Sequence, residues 1–125
     1  MDNEIRVFTF TRLRPQAAQA DILAAQGKLD DYCRENAYCV VGSVFTKERS
    51  SRLVAVMSDI LADMQSKGAE LLVVSDISRL GRHYADVLGI AEKFAAAGIE
   101  IETADDGCRL TEMFEQDDEP FVQGM

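Results

Sequence analysis

The chain lacks most of what marks a secreted, membrane-embedded or metal-binding protein. Its 125 residues include no tryptophan, two prolines, three cysteines and a single histidine, His83. Cys33, Cys39 and Cys108 are odd in number and contain no C-x-x-C pair, so neither a disulfide framework nor a zinc site is expected. No apolar run approaches the ~20 residues that cross a bilayer. The opening Met1-Asp2-Asn3-Glu4 is acidic where a secretory signal would be basic. The expectation is a cytoplasmic protein with ordinary reduced thiols, no membrane partner, no metal and no cofactor. Positive charge is scarce too: 13 Lys and Arg stand against 22 Asp and Glu, a formal net charge of −9. Taken whole, that balance argues against nucleic acid as a partner. The deficit is uneven, however. Residues 1–98 carry 12 bases and 13 acids, whereas residues 99–125 carry nine acids and one base, Arg109.

What is present is a regular alternation of patterns. Residues 5–11 (I-R-V-F-T-F-T) are β-branched and aromatic and predict a strand, ended by Pro15, which suits a first helical turn. Apolar residues at helical spacing over 16–36 predict a helix carrying Ile22, Ala25, Leu29, Tyr32 and Cys33. Residues 38–46 form a second strand. Ser50 or Ser51 can cap a second helix with Leu53, Met57, Ile60 and Met64 on one face, closed by Gly68. Leu71-Leu72-Val73-Val74 has the wholly apolar pattern of a strand covered on both faces. A third helix is expected from about His83 to Ala97, then a half-exposed strand over 99–103 (I-E-I-E-T). Such β-α alternation predicts a three-layer α/β/α sandwich around a mostly parallel sheet of four to five strands. The pattern dissolves after Gly107. Residues 1–107 are read as the folded domain and 108–125 as an acidic tail with at most a helical turn.

Ligands of open parallel sheets bind at the carboxyl ends of the strands. Arg12 and Arg14 follow the first strand, Lys47, Arg49 and Arg52 the second, and Arg79 and Arg82 the third. Seven of the 12 bases before residue 99 thus collect at one end of one sheet, where helix N-termini add partial positive charge. Six of the seven are arginines, whose rigid fork suits bidentate contact with phosphate or carboxylate. This predicts an anion site at Arg12, Arg14, Arg52, Arg79 and Arg82. The competing reading is a set of solvated loop cations, some paired with Glu48, Asp76 or Asp86. Gly81 has its own modest explanation, relief of a tight approach before the third helix. His83, at a helix start, is assigned no role. There is no G-x-G-x-x-G or G-K-[ST] phosphate loop.

The segment Ile77-Ser78-Arg79-Leu80-Gly81-Arg82 resembles the L-D-R-L-[GS]-R signature of serine site-specific recombinases, the resolvase/invertase family. Phe10-Thr11-Arg12-Leu13-Arg14 matches that family's Y-x-R-V-S in degenerate form, and Ala25–Asn36 is similar to its Q-x-x-L-x-x-Y-C helix. The resemblance covers roughly residues 5–107. It implies a resolvase-like catalytic-domain fold and a metal-free chemistry in which a serine attacks a DNA phosphodiester while arginines neutralise the transition state. Arg12, Arg79 and Arg82 match family arginines, and Arg52 a further one. The departures are as specific. The nucleophile position is Arg14, the motif tyrosine is Phe10, the aspartate before the arginine pair is Ser78, and a further acid is Lys47. Arginine cannot form the ester intermediate. The sequence therefore points to a non-cleaving protein that binds DNA weakly, binds another phosphate-bearing ligand, or regulates a partner recombinase, with a homodimer in view. The alternatives are an active recombinase or nickase that uses a displaced hydroxyl, and a mobile-element relic without activity. The family's long basic helix and DNA-binding domain have no counterpart in the acidic residues 108–125.

Overall fold

Strand β1 (Arg6–Arg12) is an internal strand of the sheet, buried on both faces. Phe8 and Phe10 point into one core and Val7 into another, each at most 1% exposed. The computed structural model describes residues 4–47, 52–81 and 83–110. Arg49, Ser50, Ser51, Arg82 and the residues after 110 lie outside that set. The remaining elements are α1 (Gln19–Glu35), β2 (Cys39–Thr46), α2 (Leu53–Lys67), β3 (Leu71–Val74), a 3-10 turn (Ile77–Leu80), α3 (Tyr84–Ala96), β4 (Glu100–Thr103) and β5 (Cys108–Arg109).

The five strands lie in the order β2-β1-β3-β4-β5, the first four parallel and β5 antiparallel to β4. This is the α/β sandwich that the alternation predicts. Helix α1 covers one face over Val7, Leu71 and Val73 through Leu29 and Cys33. Helices α2 and α3 cover the other, where Met57, Met64 and Phe94 pack on Phe8, Phe10, Leu72 and Val74. The all-apolar β3 is buried on both faces, as its composition requires. Gly42 stands where β2 slips register against β1, between Val7 and Phe8. A Cβ there would lie 2.5 Å from the Phe8 ring, so the close approach needs glycine.

Three local expectations are corrected. Residues 15 and 16 form a turn and α1 starts only at Gln19, where the Asp21 carboxylate accepts from the Ala18 N–H at 3.2 Å. That local acceptor begins the helix, so Pro15 is not in its first turn. Past Gly107 the sheet continues: Cys108–Arg109 pair with β4, and Leu110 is 1% exposed in the larger core. As a result β4 is not half-exposed, since β5 covers its edge and Glu102 is only 4% exposed.

Candidate functional site

Parallel pairing of Phe10 with Val74 brings the exits of β1 and β3 side by side. Past β3 the chain makes a sharp change of direction, which Asp76 sets. Its backbone is extended and its Oδ1 accepts the Ser78 N–H at 2.9 Å, capping the 3-10 turn. Fully buried Leu80 anchors that turn in the core. Gly81 follows because a Cβ there would meet the Asp86 Cβ at 3.0 Å, the tight approach its position suggests.

The turn delivers Arg79 to Arg12. The Arg79 Nη1–H donates to the Arg12 carbonyl at 3.1 Å and its Nε–H to the Ser75 hydroxyl at 3.1 Å, while Nε lies 3.7 Å from Asp76 Oδ2. In return the Arg12 Nη1–H donates to the Ser78 carbonyl at 3.2 Å. The two guanidiniums are thus braced crosswise between the ends of β1 and β3. They flank a small cavity of about 20 Å³ lined also by Thr11, Leu13 and Ser75.

The other predicted cations are placed differently. Arg14 is exposed in the loop after β1, and Arg52 is exposed at the N-cap of α2. Lys47 ties the loops after β2 and β1 together through the Ala17 carbonyl at 3.2 Å. Arg82 lies outside the described residues. His83 occupies the N-cap position of α3 without a side-chain cap bond. Beside the arginine pair a larger open cavity of about 500 Å³ runs along α1. Arg79 and Lys28 face Asp21, Asp31, Glu35, Asp76 and Asp105 there, so on the α1 side the surroundings are predominantly acidic.

Sequence reasoning missed a second polar cluster, at the other end of α1. The buried Glu102 carboxylate accepts from the Tyr32 hydroxyl at 2.5 Å, the Tyr38 hydroxyl at 3.0 Å and Arg109 Nε at 3.1 Å, with Arg109 Nη1 3.6 Å from Glu100. Burial first, then the bond to Glu102, pushes both phenols above the ordinary tyrosine range. Burial also pushes the neighbouring Cys33 thiol up to about 11, with Asp30 and Glu102 adding to it. The signal was present in I-E-I-E-T, which puts both glutamates on one face, and in Arg109, the lone base of the acidic end.

The model of the Resolvase family, its N-terminal domain, matches residues 7–123. The chain belongs to that family. Solved structures agree on the fold of this resolvase-type domain. A resolvase family site-specific recombinase from Streptococcus pneumoniae is 22% identical, with TM-score 0.71 over 98% of this chain and 94% of that one. The N-terminal catalytic domain of TP901-1 integrase is 16% identical, with TM-score 0.70 over 91% and 98%. The C-terminal catalytic domain of ISC1926 TnpA, an IS607-like serine recombinase, is 18% identical, with TM-score 0.65 over 79% and 69%. The curated proteins contain no match. Among the described residues no helix is long and apolar enough to cross a membrane, and no group of three or more His, Cys, Asp or Glu is placed to hold a metal.

Proposed function

We propose that this resolvase-type domain binds phosphodiester anions, DNA backbone or another phosphate-bearing ligand, at the crevice of Arg12 and Arg79, with Arg14 extending the cationic rim. On this reading its role is binding or regulation, and the loop after β1 does not cleave DNA. The observation that carries it is the crosswise bracing of Arg12 and Arg79 at the strand ends, with Arg14 where the family pattern has its serine. Prepositioned guanidiniums stabilise phosphate without reorganising. An arginine in the loop adds to that attraction and removes the hydroxyl that an ester intermediate needs.

Titration with inorganic phosphate and with a short DNA duplex at several salt concentrations tests this. Arg14 is exposed, so Arg14→Ser leaves the fold intact and is expected to weaken DNA binding and lower the salt slope by about 1. Arg79→Ala is expected to weaken binding of both probes. Affinity and slope unchanged in both variants would overturn the reading.

A further inference from the structure

Strand β2 forms one edge of the sheet, and it lacks the charges and prolines that normally blunt such an edge. It is eight residues long, and residues 38–46 (Y-C-V-V-G-S-V-F-T) carry no charge and no proline. Although its composition is largely apolar, no residue of β2 is buried. Its one irregularity, the slip at Gly42, serves the close approach of the Phe8 ring. The Cys39 N–H donates to the Ile5 carbonyl at 2.8 Å, and the Thr46 carbonyl accepts from the Leu13 N–H at 3.2 Å, so both residues face β1. Backbone direction alternates along a strand, so Val40, Ser43 and Phe45 turn their N–H and C=O groups to the open edge. Two exposed apolar side chains border that edge. Val40, paired with Val7 on the α1 face, is 39% exposed, and Leu23 of α1 is 59% exposed. Lys28 and Asp31 face the cavity on the β3 side of α1. At about 100° per residue, Leu23 falls on the opposite flank, toward β2.

We propose that β2 pairs edge to edge with β2 of a second copy of this chain, antiparallel about a two-fold axis near Gly42 and Ser43, making one continuous ten-stranded sheet. Val40 of each copy then lies beside Phe45 and Leu23 of the other, so the two ends of the strand cover each other. Charge selects both the occupant and the edge. The chain carries −9, and residues 99–125 hold nine acids against Arg109 alone. That stretch begins at β4 and β5, and β5 is the edge opposite β2. Pairing through β2 sets the two β5 strands nine strand spacings apart, about 40 Å. That is several times the ~8–10 Å over which charges interact at ordinary salt. Pairing through β5 offers only a two-residue strand and brings the acidic ends together. A head-to-tail array from β2 to β5 meets the same short strand, so association closes at two copies. An uncharged edge favours neither a basic nor an acidic peptide, whereas it complements itself.

Sedimentation equilibrium of the full chain over a wide range of concentration tests this, with amide hydrogen exchange on the same samples. The expected result is a monomer–dimer equilibrium in which the Val40, Ser43 and Phe45 amides gain protection as the dimer forms. Val40→Lys and Leu23→Lys place like charges near the two-fold axis, and each is expected to weaken dimerisation at least about tenfold. Both positions are exposed, so the variants keep the fold, which circular dichroism checks. Val54→Lys, at a residue as exposed as Leu23 but lining the groove between α2 and α3, is expected to leave the dimer unchanged. A monomer at every concentration overturns the proposal. So does a dimer in which these amides still exchange freely, a dimer that Val54→Lys weakens as much as Val40→Lys does, or growth beyond two copies.

Discussion

Replacing Arg109 by methionine is expected to destabilise the domain by about 2 kcal/mol. The figure follows from what Glu102 would keep and lose. Its side chain is 5% exposed, and Arg109, 36% exposed, is its charged partner. Removing one member of a fully buried ion pair costs about 3–5 kcal/mol, because the other charge stays uncompensated. Here Arg109 is one-third open to water, so solvent screens the pair and takes over part of its role. The Tyr32 and Tyr38 hydroxyls also still donate to the carboxylate. Both effects pull the cost below the fully buried value. Methionine retains the aliphatic stem, so the loss is electrostatic rather than a cavity. Urea unfolding followed by circular dichroism measures it. Against a total stability of about 5–15 kcal/mol the change is easily resolved. The Glu102→Gln variant completes a double-mutant cycle, with an expected coupling of about 1 kcal/mol or more. A cost for Arg109→Met below about 0.5 kcal/mol, additive with Glu102→Gln, would refute the view that this cluster fastens β5 and the end of the domain to α1.

Two further outcomes follow from the same geometry. Gly42→Ala forces a Cβ to within 2.5 Å of the buried Phe8 ring and is expected to cost about 1–3 kcal/mol in urea unfolding. A cost near zero would mean that β1 and β2 separate without penalty. Alkaline pH is expected to destabilise the protein through groups kept neutral in the fold. Cys33 titrates at about 11 instead of its ordinary 9.0, and Tyr32 and Tyr38 also lie above their ordinary 10.0. The unfolded chain therefore loses these protons first. Stability is full below about pH 9 and falls as pH rises through 9–11, by at most about 2–3 kcal/mol from Cys33. Thermal unfolding from pH 8 to 11 checks this. Cys33→Ala is expected to flatten the early part of the decline, and an unchanged slope would exclude the thiol.

Element order, strand pairing class and core were legible in the sequence because burial there is periodic. The run L-L-V-V requires cover on both faces, and the heptad-like spacing of Leu53, Met57, Ile60 and Met64 requires a helix with one buried side. The conjunction of Arg12 and Arg79 was legible for a topological reason, since parallel strands put all their carboxyl ends together. Less visible was how those arginines are occupied. Their bonds run to backbone carbonyls of Arg12 and Ser78, which look alike in any sequence.

The sequence by itself determined an α/β domain of the resolvase type, with arginines following its first and third strands. Those facts depend on residue type and spacing along the chain. Only the tertiary structure decided that Arg79 is bonded to the carbonyl of Arg12, that acidic side chains line α1 next to Arg79, and that the one base of the acidic end is the charged partner of buried Glu102. Each of these is a contact between segments whose chemistry is unremarkable alone. Partners such as Tyr32 and Glu102 are 70 residues apart. Distances of that kind are set by the packing of α1 on the sheet, and no local pattern encodes them.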